Sequence, residues 1–256
     1  MNQSFERADG RRPDELRPVR FDVGYIEYPE GSVLVETGRT MVLCNATVED
    51  GVPSWMKRAG RPGGWVTAEY AMLPRATQER TRRERLRPRG RTQEIRRLIG
   101  RSLRAAVHLD ALDPVTITID CDVLQADGGT RTASITGGYV ALALALGRRL
   151  EGSHPAADLF RAPLAAVSVG VVEGRPLLDL NYREDVSAQV DANLVLNAEG
   201  DYIEVQSTAE GDPIPRSTLD ELLDLAEDGV QELIARQREV LISHDVQVPE
   251  SGDDGQ

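Results

Sequence analysis

Apolar and polar side chains alternate strictly from 115 to 123: Val115, Ile117, Ile119, Cys121 and Val123 fall on one side, Thr116, Thr118, Asp120 and Asp122 on the other. A period of two is that of a β-strand with one covered face. Similar strand-like runs occupy 32–37 and 40–48, flanking Gly38-Arg39 as a hairpin, and then 165–172, 177–182, 190–197 and 202–207. The last of these follows a turn at Ala198-Glu199-Gly200-Asp201. Between them the period changes. From 94 to 109, Ile95, Leu98, Ile99, Leu103 and Ala106 share one helical face while Arg97, Arg101 and Arg104 share another, which suits contact with RNA or with a neighbouring subunit. The run from Tyr139 to Leu146, bounded by Gly138 and Gly147, reads as a core helix, and 217–241 as a long amphipathic one. Ser217 and Asp220 after Pro215 predict a capping-box-like start for it. Strands and helices mixed in this order predict an α+β fold.

Composition narrows the class. With 256 residues, 40% hydrophobic and 28% charged, the chain can bury a full core. No apolar run approaches the ~20 residues of a membrane span, and 2–7 lacks a signal-like apolar stretch, so the expectation is a cytoplasmic protein with no membrane partner. Cys44 and Cys121 lie inside strand-like runs and suit buried free thiols. The segment 151–155 reads as a connection, and the acidic tail 244–256 as disordered.

Charge adds more. A net charge of −12 argues against a nucleic-acid partner, but its distribution reverses that reading. Between 75 and 104 twelve arginines face three glutamates, a local net of +9 within the acidic whole. One strongly basic segment on an acidic body predicts a dedicated anion-binding surface, the alternative being a solvated charge run. Lys57 is the only lysine. A GC-rich genome or adaptation to high salt would each produce that bias.

The strand from 115 runs into Ala126-Asp127-Gly128-Gly129-Thr130-Arg131, and a helix is expected from about 134. Two glycines before a helix free the backbone to turn, and Gly129, Thr130 and Arg131 then lie where open amides and the positive helix end receive an anion. Taken alone, the same pattern is also an ordinary tight turn with Arg131 on the surface. Read the same way, Asp185 is an exposed turn residue and Asp191 a carboxylate in an apolar strand, costly unless compensated.

This stretch resembles the phosphate-binding loop of the ribonuclease PH family, and the likeness continues in order along the chain. Arg7-Ala8-Asp9-Gly10-Arg11, Glu15-Leu16-Arg17-Pro18, Thr67-Ala68-Glu69-Tyr70, Met72-Leu73-Pro74-Arg75 and the run from Gly90-Arg91-Thr92 to Gly100-Arg101 all look like that family's motifs, over about 5–243. The resemblance implies two similar sheet-and-helix halves packed together, with a fold like the second domain of ribosomal protein S5. The halves are expected at about 15–150 and 160–243 of a single domain, 1–243. It implies a phosphorolytic 3′-to-5′ exoribonuclease acting on tRNA 3′ ends, with inorganic phosphate as co-substrate, Mg²⁺, and a homohexamer built as a trimer of dimers.

Carried over residue by residue, the resemblance places phosphate at Arg91, Gly129, Thr130 and Arg131. It places the catalytic, metal-holding pair at Asp185 and Asp191, and RNA at Arg75, Arg80 and Arg83, with Arg82, Arg85, Arg87 and Arg89 adding backbone contacts. Asp179 and Glu184 are neighbours that support the pair. Such chemistry needs no protein nucleophile, and no Ser/His/Asp set is evident around His108, His154 and His244. A noncatalytic, scaffold-like subunit is the competing reading; such subunits lack the aspartates or the phosphate arginines. Two departures stand out. Ser207 replaces a usual glycine in Gln206-Ser207-Thr208-Ala209-Glu210-Gly211, and the loop 82–90 is slightly short.

Overall fold

The computed structural model describes residues 7–83, 90–149 and 159–249. The alternating run forms β5 (Val115–Gln125), an interior strand of a five-stranded sheet ordered β1-β2-β3-β5-β4, with β1 (Val19–Val23), β2 (Gly31–Thr37), β3 (Thr40–Asp50) and β4 (Trp65–Met72). The hairpin at Gly38-Arg39 is present, Thr37 pairing with Thr40. A short helix, α1 (Ser54–Ala59), precedes β4, and α2 (Gly90–Ala105) carries the chain from β4 to its parallel neighbour β5.

The second sheet is ordered β7-β6-β8-β9, from β6 (Leu164–Val172), β7 (Arg175–Leu178), β8 (Val190–Asn197) and β9 (Tyr202–Ala209). Helix α3 (Thr130–Arg149) lies between the sheets, against β2, β3 and β5 on one side and β6 and β8 on the other. From 132 to 146 every residue of it is buried, as expected of a helix apolar on all faces. Gly31 lets β2 approach it: a Cβ there would meet the Ala141 carbonyl oxygen at 1.9 Å. Helix α5 (Arg216–Ile242) covers β6, β7 and β8.

Several boundaries differ from expectation. Helix α2 starts at Gly90 and ends at Ala105, because Val107 leaves to bridge Phe160 and the His108 amide donates to the Leu159 carbonyl. Helix α3 begins at Thr130, not near 134; in its first turns Thr132 Oγ1 donates to the Gly129 carbonyl and Ser134 Oγ to that of Thr130, which pairs these buried hydroxyls inside the helix. Strand β7 ends at Leu178, and Tyr182 opens a further helix, α4 (Tyr182–Ser187). At α5 the N-cap is Pro215 with no side-chain cap, so Ser217 and Asp220 do not form the predicted box. After α5, Val246 is buried against Gly147 and the Pro249 carbonyl accepts from Arg238, whereas 250–256 lie outside the described residues. The connection 151–155 also lies outside them.

Candidate functional site

The glycine loop is shaped by what lies behind it. Gly128 and Gly129 both have positive φ, 80° and 63°, which glycine adopts without penalty. A Cβ on Gly128 would stand 2.5 Å from the Leu180 carbonyl oxygen. The Asp127 carbonyl accepts from Arg17 Nη1 at 2.7 Å, that of Gly128 from Thr40 Oγ1 at 2.7 Å, and that of Gly129 from Thr132 Oγ1 at 2.9 Å. With its carbonyls engaged, the loop leads directly into the N-terminal turn of α3, whose first amides have no partner within the helix. Gly128, Gly129, Thr130 and Arg131 line a cleft of about 1810 Å³. Tyr70, at the end of the Thr-Ala-Glu-Tyr motif, shares a hydrogen bond of 2.9 Å with the Thr130 hydroxyl. Burial raises the Tyr70 pKa and keeps it neutral.

The two aspartates line the same cleft. Asp185 is on α4, which is built by a capping box: Asn181 Oδ1 accepts from the amides of Arg183 and Glu184, and Glu184 Oε2 accepts from the Asn181 amide. Asp191 is the second residue of β8, paired with Gly170 on β6 and Thr208 on β9. Its Oδ1 is buried and has no hydrogen-bond partner among the described residues. Burial raises both carboxyl groups above the ordinary aspartate value; Asp185 adds to the effect at Asp191, and the charges of Arg91 and Arg131 oppose it at both. The two arginines and the two aspartates therefore share one electrostatic neighbourhood.

Beneath them, the N-terminal arginines are buried. Arg7 closes on the Glu184 carboxylate with Nε at 2.8 Å and Nη2 at 2.7 Å, and donates to the carbonyls of Leu178 and Asp179. Arg11 also reaches the Asp179 carbonyl. Arg17 holds the Asp179 side chain, and that carboxyl, which burial would raise, is kept below its ordinary value by the Arg17 guanidinium. Arg7, Arg11 and Arg17 thus tie the first half of the chain to the turn that carries α4.

Two family models match: "3′ exoribonuclease family, domain 1" over 15–146 and "domain 2" of the same family over 162–229. The chain belongs to the 3′ exoribonuclease family. Ribonuclease PH of Crocosphaera subtropica is 54% identical over 238 residues, 93% of this chain and 98% of that protein. The Bacillus subtilis protein of the same name is 53% identical over 238 residues, 92% and 96% of the two chains. An Archaeoglobus fulgidus exosome solved with RNA bound to its active site has a chain of similar fold, with a TM-score of 0.73, 24% identity, and coverage of 90% and 92%. The α+β architecture of two sheets with helices is that of this family.

Of the residues that the family resemblance singled out, Arg75, Arg83, Arg91, Gly129, Thr130, Arg131, Asp185 and Asp191 all line the one cleft, and so does Arg82. Arg80 is exposed and is not among the lining residues. Arg85, Arg87 and Arg89 lie outside the described residues. Arg131 is already engaged, its Nη1 donating to Gln206 Oε1 at 2.9 Å and to Glu94 Oε1 at 3.2 Å. Gln206 thus braces Arg131 without itself lining the cleft, and Ser207 beside it is exposed. Arg101 and Arg104 have partners within the chain. Arg101 pairs with Glu204 at 2.8 Å, and Arg104 donates to the Val66 carbonyl and lies over the Trp65 ring. Asp179 and Glu184, expected as supports of the aspartates, act through Arg7, Arg11 and Arg17, while Thr40 and Tyr70 gave no chemical signal in the sequence. The capping box of α4 was missed in the sequence, where its signal is Asn181 followed by Glu184 three residues later.

Proposed function

We propose that this chain is a phosphorolytic 3′-to-5′ exoribonuclease that trims tRNA precursors, and whose reverse reaction adds nucleotides. The observation that carries this is the convergence of Arg91, the Gly129–Thr130–Arg131 turn, Asp185 and Asp191 on one cleft formed by both halves. Arg91 and Arg131 present planar forks suited to phosphate oxygens, and the first amides of α3 supply further donors. Held there, an oxygen of inorganic phosphate forms a bond to the phosphorus of the terminal phosphodiester. The bond from that phosphorus to the preceding 3′ oxygen breaks, and the 3′ oxygen takes a proton, releasing a nucleoside 5′-diphosphate. The work is positioning and charge compensation. A carboxyl whose pKa is raised by burial is suited to giving the proton.

A divalent cation fits the aspartate pair: two carboxylates, one with an unpartnered buried oxygen, are hard donors of the kind Mg²⁺ takes together with substrate phosphates. Among the described residues no group of three or more His, Cys, Asp or Glu side chains gathers to hold a metal. When bound, the ion would offset charge on the leaving oxygen. Asp185 and Asp191 are the residues that would hold it.

RNA enters along Arg75 and Arg83, with Arg80 and Arg82 beside them, as backbone contacts of low sequence preference. The exosome of similar fold binds RNA in its active site, and we extend that, and assembly as a homohexameric trimer of dimers, to this chain. A noncatalytic scaffold is disfavoured by the presence of all four chemical residues in one cleft.

Product analysis on a tRNA with a short 3′ extension, with and without phosphate, tests the reading. Nucleoside diphosphates that require phosphate and vanish in Asp185→Asn with Asp191→Asn are expected. Monophosphates released without phosphate would overturn phosphorolysis, and binding without shortening would favour the scaffold.

A further inference from the structure

Two glycines in succession give a loop wide conformational freedom, yet an anion cradle works only if its donors are aimed before the anion arrives. The loop at 127–129 is restrained by a residue that takes no part in the lining of the cleft. Thr40 is the first residue of β3 and is fully buried. Its hydroxyl accepts from the Asp127 amide at 3.0 Å and donates to the Gly128 carbonyl at 2.7 Å, so one Oγ1 holds the 126–127 and 128–129 peptides that flank the one between Asp127 and Gly128. Arg17 Nη1 takes the Asp127 carbonyl at 2.7 Å, and the Tyr182 amide donates to the same oxygen at 3.1 Å. Arg17 is fixed in turn by Asp179, and Tyr182 by α4.

We infer that Thr40 and Arg17 are positioning residues for phosphate: together they fix the peptides of the glycine loop so that its amides and Arg131 meet the anion without reorganisation. This rests on the phosphorolytic reading above. Thr40 is the more telling of the two. Its place in the strand is already held by pairing with Thr37 across the hairpin, and both of its hydroxyl bonds go to the loop. Thr40 stands outside the cleft lining and acts only through the loop backbone; Arg17 also lines the cleft, and its Nη1 grips the same backbone.

Thr40→Val keeps the size and branching of the side chain and removes both hydrogen bonds; Thr40→Ser keeps them. Phosphate KM, tRNA KM and kcat would be measured with each full-length variant, and inorganic phosphate binding separately by calorimetry. A misaimed cradle is expected to raise the phosphate KM about tenfold, with tRNA KM unchanged, calorimetric affinity weakened in step, and Thr40→Ser close to wild type. A lowered Tm with unchanged phosphate KM and affinity would overturn the inference, as would equal rises in both KM values. Should Thr40→Val fail to fold, Arg17→Lys, which keeps the charge beside Asp179 and loses the fork, is expected to show the same selective rise. A wild type with no phosphate-dependent product sinks the functional reading instead, and calorimetry with phosphate still decides the clamp.

Discussion

Arg17 and Asp179 form a buried two-pronged ion pair, Nε to Oδ2 at 2.9 Å and Nη2 to Oδ1 at 2.6 Å, and the Arg17 amide adds a third bond to Oδ2 at 2.8 Å. Asp179 holds this position with φ of 53°, in the left-handed region that favours glycine. The pair compensates a carboxylate that burial would otherwise neutralise. It also joins the start of the chain to the turn before α4, 162 residues away.

Arg17→Met would leave the buried Asp179 carboxylate with Arg11 at 3.7 Å as its remaining counter-charge, and is expected to cost about 3 kcal/mol of unfolding free energy at neutral pH. Because the folded-state pKa of Asp179 is lowered, its stabilising contribution is present above the unfolded value and lost as pH falls through the folded one. Urea titrations at a series of pH values should therefore show the gap between wild type and variant closing in acid. A constant gap would mean that packing, not charge, holds the site.

Asp191→Asn should separate stability from activity. Burial, with Asp185 next, raises the Asp191 pKa, so the folded chain retains a proton that the unfolded chain releases. Stability falls as pH climbs from the unfolded value through the folded one. The variant is expected to raise Tm by on the order of 2 °C at neutral pH, an advantage that disappears in acid, while kcat drops by at least about a hundredfold. A lowered Tm would show that the carboxylate is structurally compensated.

Gly128→Ala places a Cβ against the Leu180 carbonyl in a backbone region closed to alanine. We expect a loss of about 1–3 kcal/mol in chemical denaturation, together with loss of phosphorolysis. An active, fully stable variant would contradict the tight apposition of the loop and the turn before α4.

Arg131→Lys keeps the charge and discards the guanidinium that Gln206 and Glu94 hold and that the proposed function gives to phosphate. Steady-state kinetics should show the phosphate KM up by about tenfold with tRNA KM little changed. A change confined to tRNA KM would assign Arg131 to RNA instead.

Removing Arg75 and Arg83 together should lower the slope of log affinity for tRNA against log salt by about 1.4, the value for two single-strand phosphate contacts. Arg80→Ala, outside the cleft lining, should change the slope less. Filter binding across salt concentrations distinguishes these, and an unchanged slope in the double variant would remove this surface from the RNA path.

The strand β5, the buried run of α3, the amphipathic faces of α2 and α5, and the basic segment were legible because each is a local pattern. Alternation or a 3.6-residue period is imposed by the face that an element buries. Collinear motifs likewise pointed to Arg91, Arg131, Asp185 and Asp191. Helix ends were less legible: α3 starts earlier than its apolar run, its first turns carrying Thr132 and Ser134 with their hydroxyls paired to backbone carbonyls, and α4 replaced the end of a predicted strand because Asn181 and Glu184 cap each other.

What the sequence by itself determined, then, is the longer strands and helices, β5, α2, α3 and α5 among them, and the motif residues to look for in a site; β1, β4 and the short helices α1 and α4 were not read from it. Short-range sterics and side-chain periodicity suffice for the first, and motif order for the second. Only the tertiary structure decided that Arg7, Arg11 and Arg17 are buried counter-charges and not surface cations, that Gln206 and Glu94 hold Arg131, and that Thr40 grips the glycine loop. Each is a contact between residues 37 to 177 positions apart. No local pattern encodes such a pairing, because it exists only once the two halves have packed and the low-dielectric interior makes every unpaired charge and hydroxyl costly.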